Sequence, residues 1–275
     1  MDIKIGIMQG RLSAPLDNKI QRFPRNSWRA EFEAAARCGF ETLEWIFDLD
    51  NNPILFDEQI VEIKSLATKH GIKINSLLAD YFMEKKLVRV SEFELAKNLE
   101  TLKKLIEKCS KIGISILEIP FVDSSSLTSK EDEDQLIAAL EKILPLVRDS
   151  NVSLALETDL EPNHFLELLS RFEHKNIFAN YDTGNSSSLG YDVAAELSIL
   201  GKKIKNIHIK DRLFRGNTVP LGKGDTDFDV FFAKLKEINY KGDLIIQGAR
   251  EEDVPPEVTC KKYLEFVKQY VHKHF

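Results

Sequence analysis

Short apolar segments alternate with longer amphipathic segments along the whole chain, and this alternation most constrains its fold. Each apolar segment has the length of a buried strand, and each amphipathic segment has apolar residues at helical spacing. The pattern predicts strands at Ile3–Met8, Thr42–Ile46, Lys73–Leu78, Ser115–Ile119, Val152–Glu157, Ile177–Tyr181, Ile204–Ile209 and Gly242–Gln247. It predicts helices at Trp28–Cys38, Asp57–His70, Glu92–Ile112, Asp132–Arg148, Asn163–Phe172, Asp192–Leu200, Phe228–Ile238 and Pro256–His272.

Strict alternation of strands and helices implies parallel strands that are joined by helical crossovers. Eight such units in 275 residues match a closed (β/α)8 barrel better than an open doubly wound sheet. No Gly-x-Gly-x-x-Gly motif follows the first predicted strand, which weakens the dinucleotide-binding alternative. Because no linker rich in proline and serine divides the chain, residues 1–275 are predicted to form a single α/β domain, a TIM barrel.

Charge and cysteine content narrow the classes of function. With 38 Lys+Arg and 44 Asp+Glu, the formal net charge is −6, which argues against a surface for nucleic acid or anionic membrane. The three cysteines are widely spaced, as expected for reduced thiols in a cytosol-like compartment. The amino-terminal apolar run is too short for a signal segment, and no later stretch has the length of a membrane span. We therefore expect a cytoplasmic protein whose partner is a small molecule.

Polar side chains stand at the predicted carboxyl ends of several strands, where a TIM barrel carries its working residues. They are Glu44, Asp80, Glu157, Asp182, His208 and Gln247. Glu157, Asp182 and His208 follow one another by single strand–helix steps, so neighbouring strand ends should bring them to one mouth. Two carboxylates and one imidazole form an O,O,N ligand set. Such a set suits one divalent ion, Mn²⁺, Mg²⁺, Zn²⁺ or Co²⁺, with open coordination positions.

Each of these three residues also has a purely structural alternative. His208 lies between two isoleucines and could be a core histidine that is satisfied by a neighbour. Asp182 opens a loop of Thr, Gly, Asn and Ser and could be a turn or helix-capping aspartate. Glu157 could cap a surface loop, although the apolar residues before it favour a functional strand end. The metal hypothesis depends on the three residues occurring together.

Motifs spread over nearly the whole chain carry a family resemblance. They are GIMQGRLS, CGFETLEWIFD, LALETDL, NYDTGN, NIHIKDR, VPLGKGDTDF and LIIQGAR. Through them the chain resembles the xylose-isomerase-like TIM-barrel superfamily of sugar and sugar-phosphate isomerases and epimerases. That superfamily also contains ketose 3-epimerases, inosose dehydratases and endonuclease-IV-type enzymes. The resemblance implies one divalent metal held at the ends of strands 5 to 8, at positions that fall on Glu157, Asp182, His208 and Gln247.

The last of these positions departs from the family, which has a glutamate where this chain has Gln247. In the family's 3-epimerases, two glutamates face opposite sides of the sugar, one removing the proton next to the carbonyl and the other returning one. Gln247 can ligate through its amide oxygen but has no titratable proton to exchange. The resemblance therefore implies a metal-dependent isomerase or epimerase with Glu157 as base. One-base aldose–ketose isomerisation is then favoured over two-base epimerisation.

Two other functions stay open. A dehydratase or lyase that acts on a polyol or keto-inositol would use the same metal and Glu157. A barrel that binds a carbohydrate without turnover would follow from the loss of the glutamate at position 247. Another carboxylate, among them Glu44, Glu251 and Glu252, could replace the missing base.

Cations beside the last two strands indicate the charge of the substrate. Arg212, Lys223 and Arg250 lie in or beside the loops where barrels often hold a phosphate, although they could also be solvated surface charges. We expect a sugar phosphate or an acidic sugar. The complete set of expected substrate contacts is Glu44, Asn185, Lys210, Arg212, Lys223 and Arg250. Related barrels often form dimers or tetramers, so a homo-oligomer is compatible with the resemblance.

Overall fold

The apolar segments form the wall of a closed parallel barrel in the computed structural model, which describes residues 3–17, 19–172 and 176–275. Its strands are Ile5–Met8 (β1), Thr42–Ile46 (β2), Ser76–Leu78 (β3), Ile116–Phe121 (β4), Ser153–Thr158 (β5), Ile177–Asp182 (β6), Ile204–Ile209 (β7), Asp211–Arg212 (β8), Thr218–Val219 (β9) and Leu244–Ile246 (β10). Strands β1 to β7 pair in sequence order, and β10 closes the barrel between β7 and β1. Strands β8 and β9 form a separate antiparallel hairpin. The predicted TIM-barrel fold is confirmed.

Helices surround this barrel. They are Trp28–Cys38 (α1), Asp57–His70 (α2), Tyr81–Glu84 (α3), Glu92–Ile112 (α4), Lys130–Glu141 (α5), Leu144–Asp149 (α6), Pro162–Ser170 (α7), Thr183–Leu189 (α8), Val193–Leu200 (α9), Phe228–Glu237 (α10) and Pro256–His274 (α11), with 3-10 turns at Pro53–Leu55, Asp123–Ser125 and Gly201–Lys203. Helix α4 shows how the sequence sets the first and last residues of a helix. Ser91 forms a capping box with Glu94 before its first turn, and Gly113, with φ of 98°, caps its C-terminus. No described helix is both long and apolar enough to cross a membrane.

The helix predicted at Asp132–Arg148 is in fact two helices, α5 and α6. Pro145 is the second residue of α6, and it lacks the backbone N–H that a continuous helix would need there. The sequence prediction also missed α3 and α8. The α8 segment, TGNSSSL, is made of residues with weak helix propensity, so its helix depends on the Asp182 side chain that caps it.

The two faces of the barrel strands differ in chemistry. On the outer face, Trp45 contacts Trp28 of α1, and Tyr181 stacks on Phe231 of α10. The inner face carries ionisable side chains, among them Glu118 and His208, which are completely buried. A charge inside a barrel must be paired, because an isolated charge is costly in a medium of low dielectric constant. The polar groups that pair there lie directly below the carboxyl ends of the strands.

Candidate active site

The structure brings the three residues Glu157, Asp182 and His208 together. They come from β5, β6 and β7, which are neighbours in the barrel, and Asp182 pairs in register with His208. One ligand atom from each side chain lies within 4.8 Å of the other two. All three side chains are buried, so water is largely excluded from the group. We call these three residues the ligand cluster.

Asp182 has two separate contacts, one for each carboxylate oxygen. Its Oδ1 accepts a hydrogen bond from the backbone N–H of Asn185 at 2.8 Å and caps α8. Its Oδ2 faces the cluster, 3.8 Å from His208 Nδ1 and 2.9 Å from Lys210 Nζ. Burial acts to raise the pKa of Asp182, but the cationic Lys210 and His208 outweigh it and hold that pKa below its usual range. Asp182 is thus both a capping residue and an ionised member of the cluster.

Glu157 is oriented by two amide side chains. Asn185 Nδ2 donates a hydrogen bond to its Oε1, and Asn180 Nδ2 donates to its Oε2 at 3.4 Å. Burial raises the pKa of Glu157 well above its usual value, and the neighbouring charges of Asp182 and Glu118 raise it further. A buried carboxylate of raised pKa is suited to take a proton from carbon, because its basicity is stronger than that of an exposed carboxylate.

His208 connects the cluster to a second group below it. Its Nε2 lies 2.7 Å from Glu44 Oε1 and 3.0 Å from Glu118 Oε2, and Asn206 Nδ2 donates to both carboxylates. Burial disfavours the cation, but Glu118 and Glu44 outweigh burial and raise the pKa of His208 well above its usual value. With Nε2–H facing carboxylates, Nδ1 is left for the cluster. A metal-ligating histidine has the same division of its two nitrogens.

Gln247, which follows β10, faces the cluster through Lys210. Its Oε1 accepts a hydrogen bond from Lys210 Nζ at 3.1 Å, and its Nε2 donates to Gln21 Oε1 at 2.8 Å. Gln21 in turn donates from Nε2 to Asp80 Oδ2 at 2.6 Å. Burial raises the pKa of Asp80 to about 6. The segment around Gln21 therefore spans the mouth from the end of β3 to the end of β10.

The expected substrate residues fall into two groups. Asn185 and Lys210 contact the cluster, and Arg212 joins them because its Nη1 donates to Asn185 Oδ1 at 2.9 Å.

The other three expected substrate residues occupy different positions. Glu44 lies below His208 and supports it instead of facing the mouth. Arg250 donates to backbone carbonyls, including that of Ser13, and so holds the loop after β1. Lys223 is exposed in the loop before α10.

Sequence reasoning did not single out Glu118, Asn206, Asn180 or Gln21. The first three lie within apolar strands, so the signal that drew attention to His208, a polar residue among buried apolar ones, could have found them. Gln21 had no such signal. It lies in a polar loop, and its role depends on where that loop crosses the mouth.

A cavity of about 340 Å³ lies outside the barrel, between its wall and α11. It is lined by Ile7 and Ile246 from β1 and β10 and by Tyr263 from α11. Ile246 and Gln247 are consecutive in an extended segment and so point to opposite faces. Most of its lining belongs to the loops after β1 and β10, and Glu157, Asp182 and His208 are not among the lining residues.

A buried carboxyl group behind the cluster gives a testable pH dependence. Glu196 accepts a hydrogen bond from the Tyr181 hydroxyl at 3.0 Å, and burial raises its pKa to about 7 from an ordinary value of 4.5. Between these two values the folded chain holds a proton that the unfolded chain has lost, so stability falls as pH rises through this window. Glu196→Gln should match the wild type near pH 5 and exceed its unfolding free energy by about 1–3 kcal/mol at pH 8.

Urea unfolding at both pH values measures this difference, with Glu167→Gln on the exposed face of α7 as a matched control. The free energy of unfolding of Glu167→Gln should differ from that of the wild type by the same amount at both pH values. A stability difference between Glu196→Gln and wild type that is the same at pH 5 and pH 8 would show that the pKa of Glu196 is not raised.

Known proteins similar to this chain include sugar epimerases. The sequence model of a family described as xylose isomerase-like TIM barrel matches residues 32–270. A Haemophilus influenzae protein, provisionally named L-ribulose-5-phosphate 3-epimerase, is 26% identical over 273 residues, which cover 91% of this chain and 94% of that protein. An Escherichia coli L-ribulose-5-phosphate 3-epimerase is 25% identical over 263 residues, 90% of each chain. The structure of D-allulose 3-epimerase from Methylomonas sp. in complex with D-allulose has a TM-score of 0.75 at 21% identity, over 98% of this chain and 97% of that one.

Proposed function

The chain belongs to the xylose isomerase-like TIM barrel family, and from this premise we propose that it is a metal-dependent isomerase or epimerase of a sugar or sugar phosphate. The observation that carries the proposal is the ligand cluster, with Glu157, Asp182 and His208 at adjacent strand ends. The named relatives support an isomerase- or epimerase-like enzyme, and they make ketoses and ketose 5-phosphates the first substrates to test. A cytoplasmic location and a homo-oligomer stay predictions.

The donor set fits one divalent ion. Glu157 and Asp182 offer oxygen, His208 offers Nδ1 while its Nε2 faces carboxylates, and Gln247 adds a neutral amide oxygen. Mn²⁺, Mg²⁺, Zn²⁺ and Co²⁺ all accept such ligands. When bound, the ion would supply Lewis acidity to the oxygens of the sugar.

Glu157 is the base in this proposal. Asn185 and Asn180 fix the direction of its carboxylate, and its burial keeps competing water away from the reacting carbon. It removes the proton from the carbon next to the carbonyl and holds it on a carboxyl oxygen. Returning that proton to the former carbonyl carbon, while the hydroxyl proton passes to the former carbonyl oxygen, completes an aldose–ketose isomerisation with one base.

Epimerisation needs a second acid on the opposite side of the sugar, and the residue at position 247 is an amide. Of the three carboxylates that the sequence offers as substitutes, Glu44 is bound beneath His208, Glu251 pairs with Lys262 at 2.9 Å, and Glu252 is exposed. These contacts favour a one-base reaction. They also support a second candidate function, a barrel that binds a carbohydrate without turnover. A dehydratase would use the same cluster and differs only in its product.

The experiment is a substrate screen in D2O. The protein is loaded with each of the four metals and incubated with D-allulose, L-ribulose and L-ribulose 5-phosphate, and the products are followed by NMR. We expect deuterium at the carbon next to the carbonyl, formation of an aldose or an epimer, and loss of both on treatment with a chelator. A dehydrated product would support the lyase. Saturable sugar binding without any exchange would support the binding barrel.

A further inference from the structure

The ammonium group of Lys210 lies between two of the residues that are proposed to hold the metal. Its Nζ is 2.9 Å from Asp182 Oδ2 and 3.1 Å from Gln247 Oε1, and its side chain is only 14% exposed. Because Asp182 Oδ1 caps α8, the oxygen that Lys210 contacts is the one turned towards His208. Lys210 and a divalent ion would therefore share the same oxygens.

The fold holds Lys210 at this position. Its backbone N–H donates to Thr183 Oγ1 at 2.9 Å, and that hydroxyl donates to the Lys210 carbonyl oxygen at 2.6 Å. Its side chain then crosses Gly184 so closely that a Cβ added there would be 2.7 Å from Lys210 Cγ. Thr183 and Gly184 directly follow Asp182, so the same turn places both the carboxylate and the lysine that contacts it.

The orientation of Gln247 is also fixed. Its amide nitrogen donates to Gln21, whose own amide nitrogen donates to Asp80. Arg11 Nη2 donates to the same Gln21 oxygen at 3.2 Å. This second donor holds the Gln21 amide with its oxygen, and not its NH2 group, towards Gln247. A glutamate at position 247 would place a carboxylate oxygen against Gln21 Oε1. The surrounding hydrogen bonds therefore suit an amide whose oxygen faces Lys210.

We propose that Lys210 is an internal cation that competes with the divalent metal for Asp182 and Gln247. The inference rests on the proposed metal centre. Two cations that share oxygens in a buried site repel each other strongly, because the local dielectric constant is low. Metal binding must then move the ammonium group out of the cluster, towards the mouth. A neutral residue at position 247 and a lysine at position 210 together make metal binding weaker than the cluster alone would allow.

Mn²⁺ affinity tests this proposal without any turnover. The dissociation constant of Mn²⁺ is measured from the electron paramagnetic resonance signal of the free ion, for the wild type, Lys210→Met and Lys202→Met. Lys202 is exposed and precedes β7, whereas Lys210 follows it, so the control removes the same charge at the opposite end of the strand. We expect Lys210→Met to bind Mn²⁺ at least about tenfold more tightly, and Lys202→Met to bind as the wild type does.

Acetylation of the wild-type protein gives a second readout that does not depend on a folded variant. The rate at which Lys210 reacts with acetic anhydride, measured by mass spectrometry against Lys202, should rise several-fold when Mn²⁺ saturates the site. Equal Mn²⁺ affinity in Lys210→Met and wild type, or an unchanged labelling rate at saturation, would overturn the competition and leave the metal centre intact. Absence of Mn²⁺ binding in both proteins would overturn the metal centre itself.

Discussion

Replacement of Glu157 by glutamine is expected to lower proton exchange and turnover by about 10²–10⁴-fold, the usual contribution of a general base. Glutamine keeps the length of the side chain and one oxygen, which can accept the hydrogen bond of either Asn185 or Asn180 but not of both, and it cannot take a proton. The measurement is the rate of deuterium incorporation into the ketose at saturating metal.

Two further measurements separate the loss of a base from the loss of a metal ligand. Metal content of Glu157→Gln should stay at or near one ion per chain when metal is in excess, because an amide oxygen replaces the carboxylate oxygen. The exposed variant Glu167→Gln should exchange protons at the wild-type rate. If Glu157→Gln retains both metal and proton exchange, the base is a different residue. Asn185 and Asn180 would then orient the Glu157 carboxylate for a role other than proton removal.

The sequence was sufficient to predict the features of the fold that repeat along the chain. Strand–helix alternation predicted the barrel, and several predicted limits, such as those of α1, α2 and β7, agree with the structure to the residue. The same periodicity placed Glu157, Asp182 and His208 at neighbouring strand ends, because each strand–helix unit advances one position around the barrel. The sequence could therefore predict the positions of those side chains that follow from the strand register.

Side chains on loops, and contacts across the barrel, could not be predicted in this way. The sequence predicts a substrate contact for Arg250, but no pattern in it predicts that the guanidinium donates to backbone carbonyls of the loop after β1. Glu44 is predicted at a strand end but lies in the middle of β2, and at that depth its side chain contacts His208. Gln21 reaches Gln247 across more than 200 residues of sequence, and no local pattern encodes that contact.

Replacement of His208 by leucine should destabilise the fold as well as remove a ligand. Glu44 and Glu118 both lie within 3.0 Å of His208 Nε2, and all three side chains are completely buried. Without the imidazole, two buried carboxylates face each other, and Asn206 is the only donor among the described residues that they share. Removal of one partner from a buried charged group costs about 3–5 kcal/mol, and we expect a loss of that size in the free energy of unfolding at pH 8.

Urea unfolding of matched variants distinguishes this charge effect from a simple loss of packing. His164→Leu is the control, because His164 also contacts a glutamate, at 2.7 Å, but is 44% exposed, so its loss should cost less than about 1 kcal/mol. Adding Glu118→Gln to His208→Leu should recover part of the stability, because it removes one of the two facing charges. The loss should also shrink at pH 5, since burial raises the pKa of Glu118 and favours its neutral form. A loss that is independent of pH and unrelieved by Glu118→Gln would mean that His208 stabilises the barrel by its volume and not by its charge.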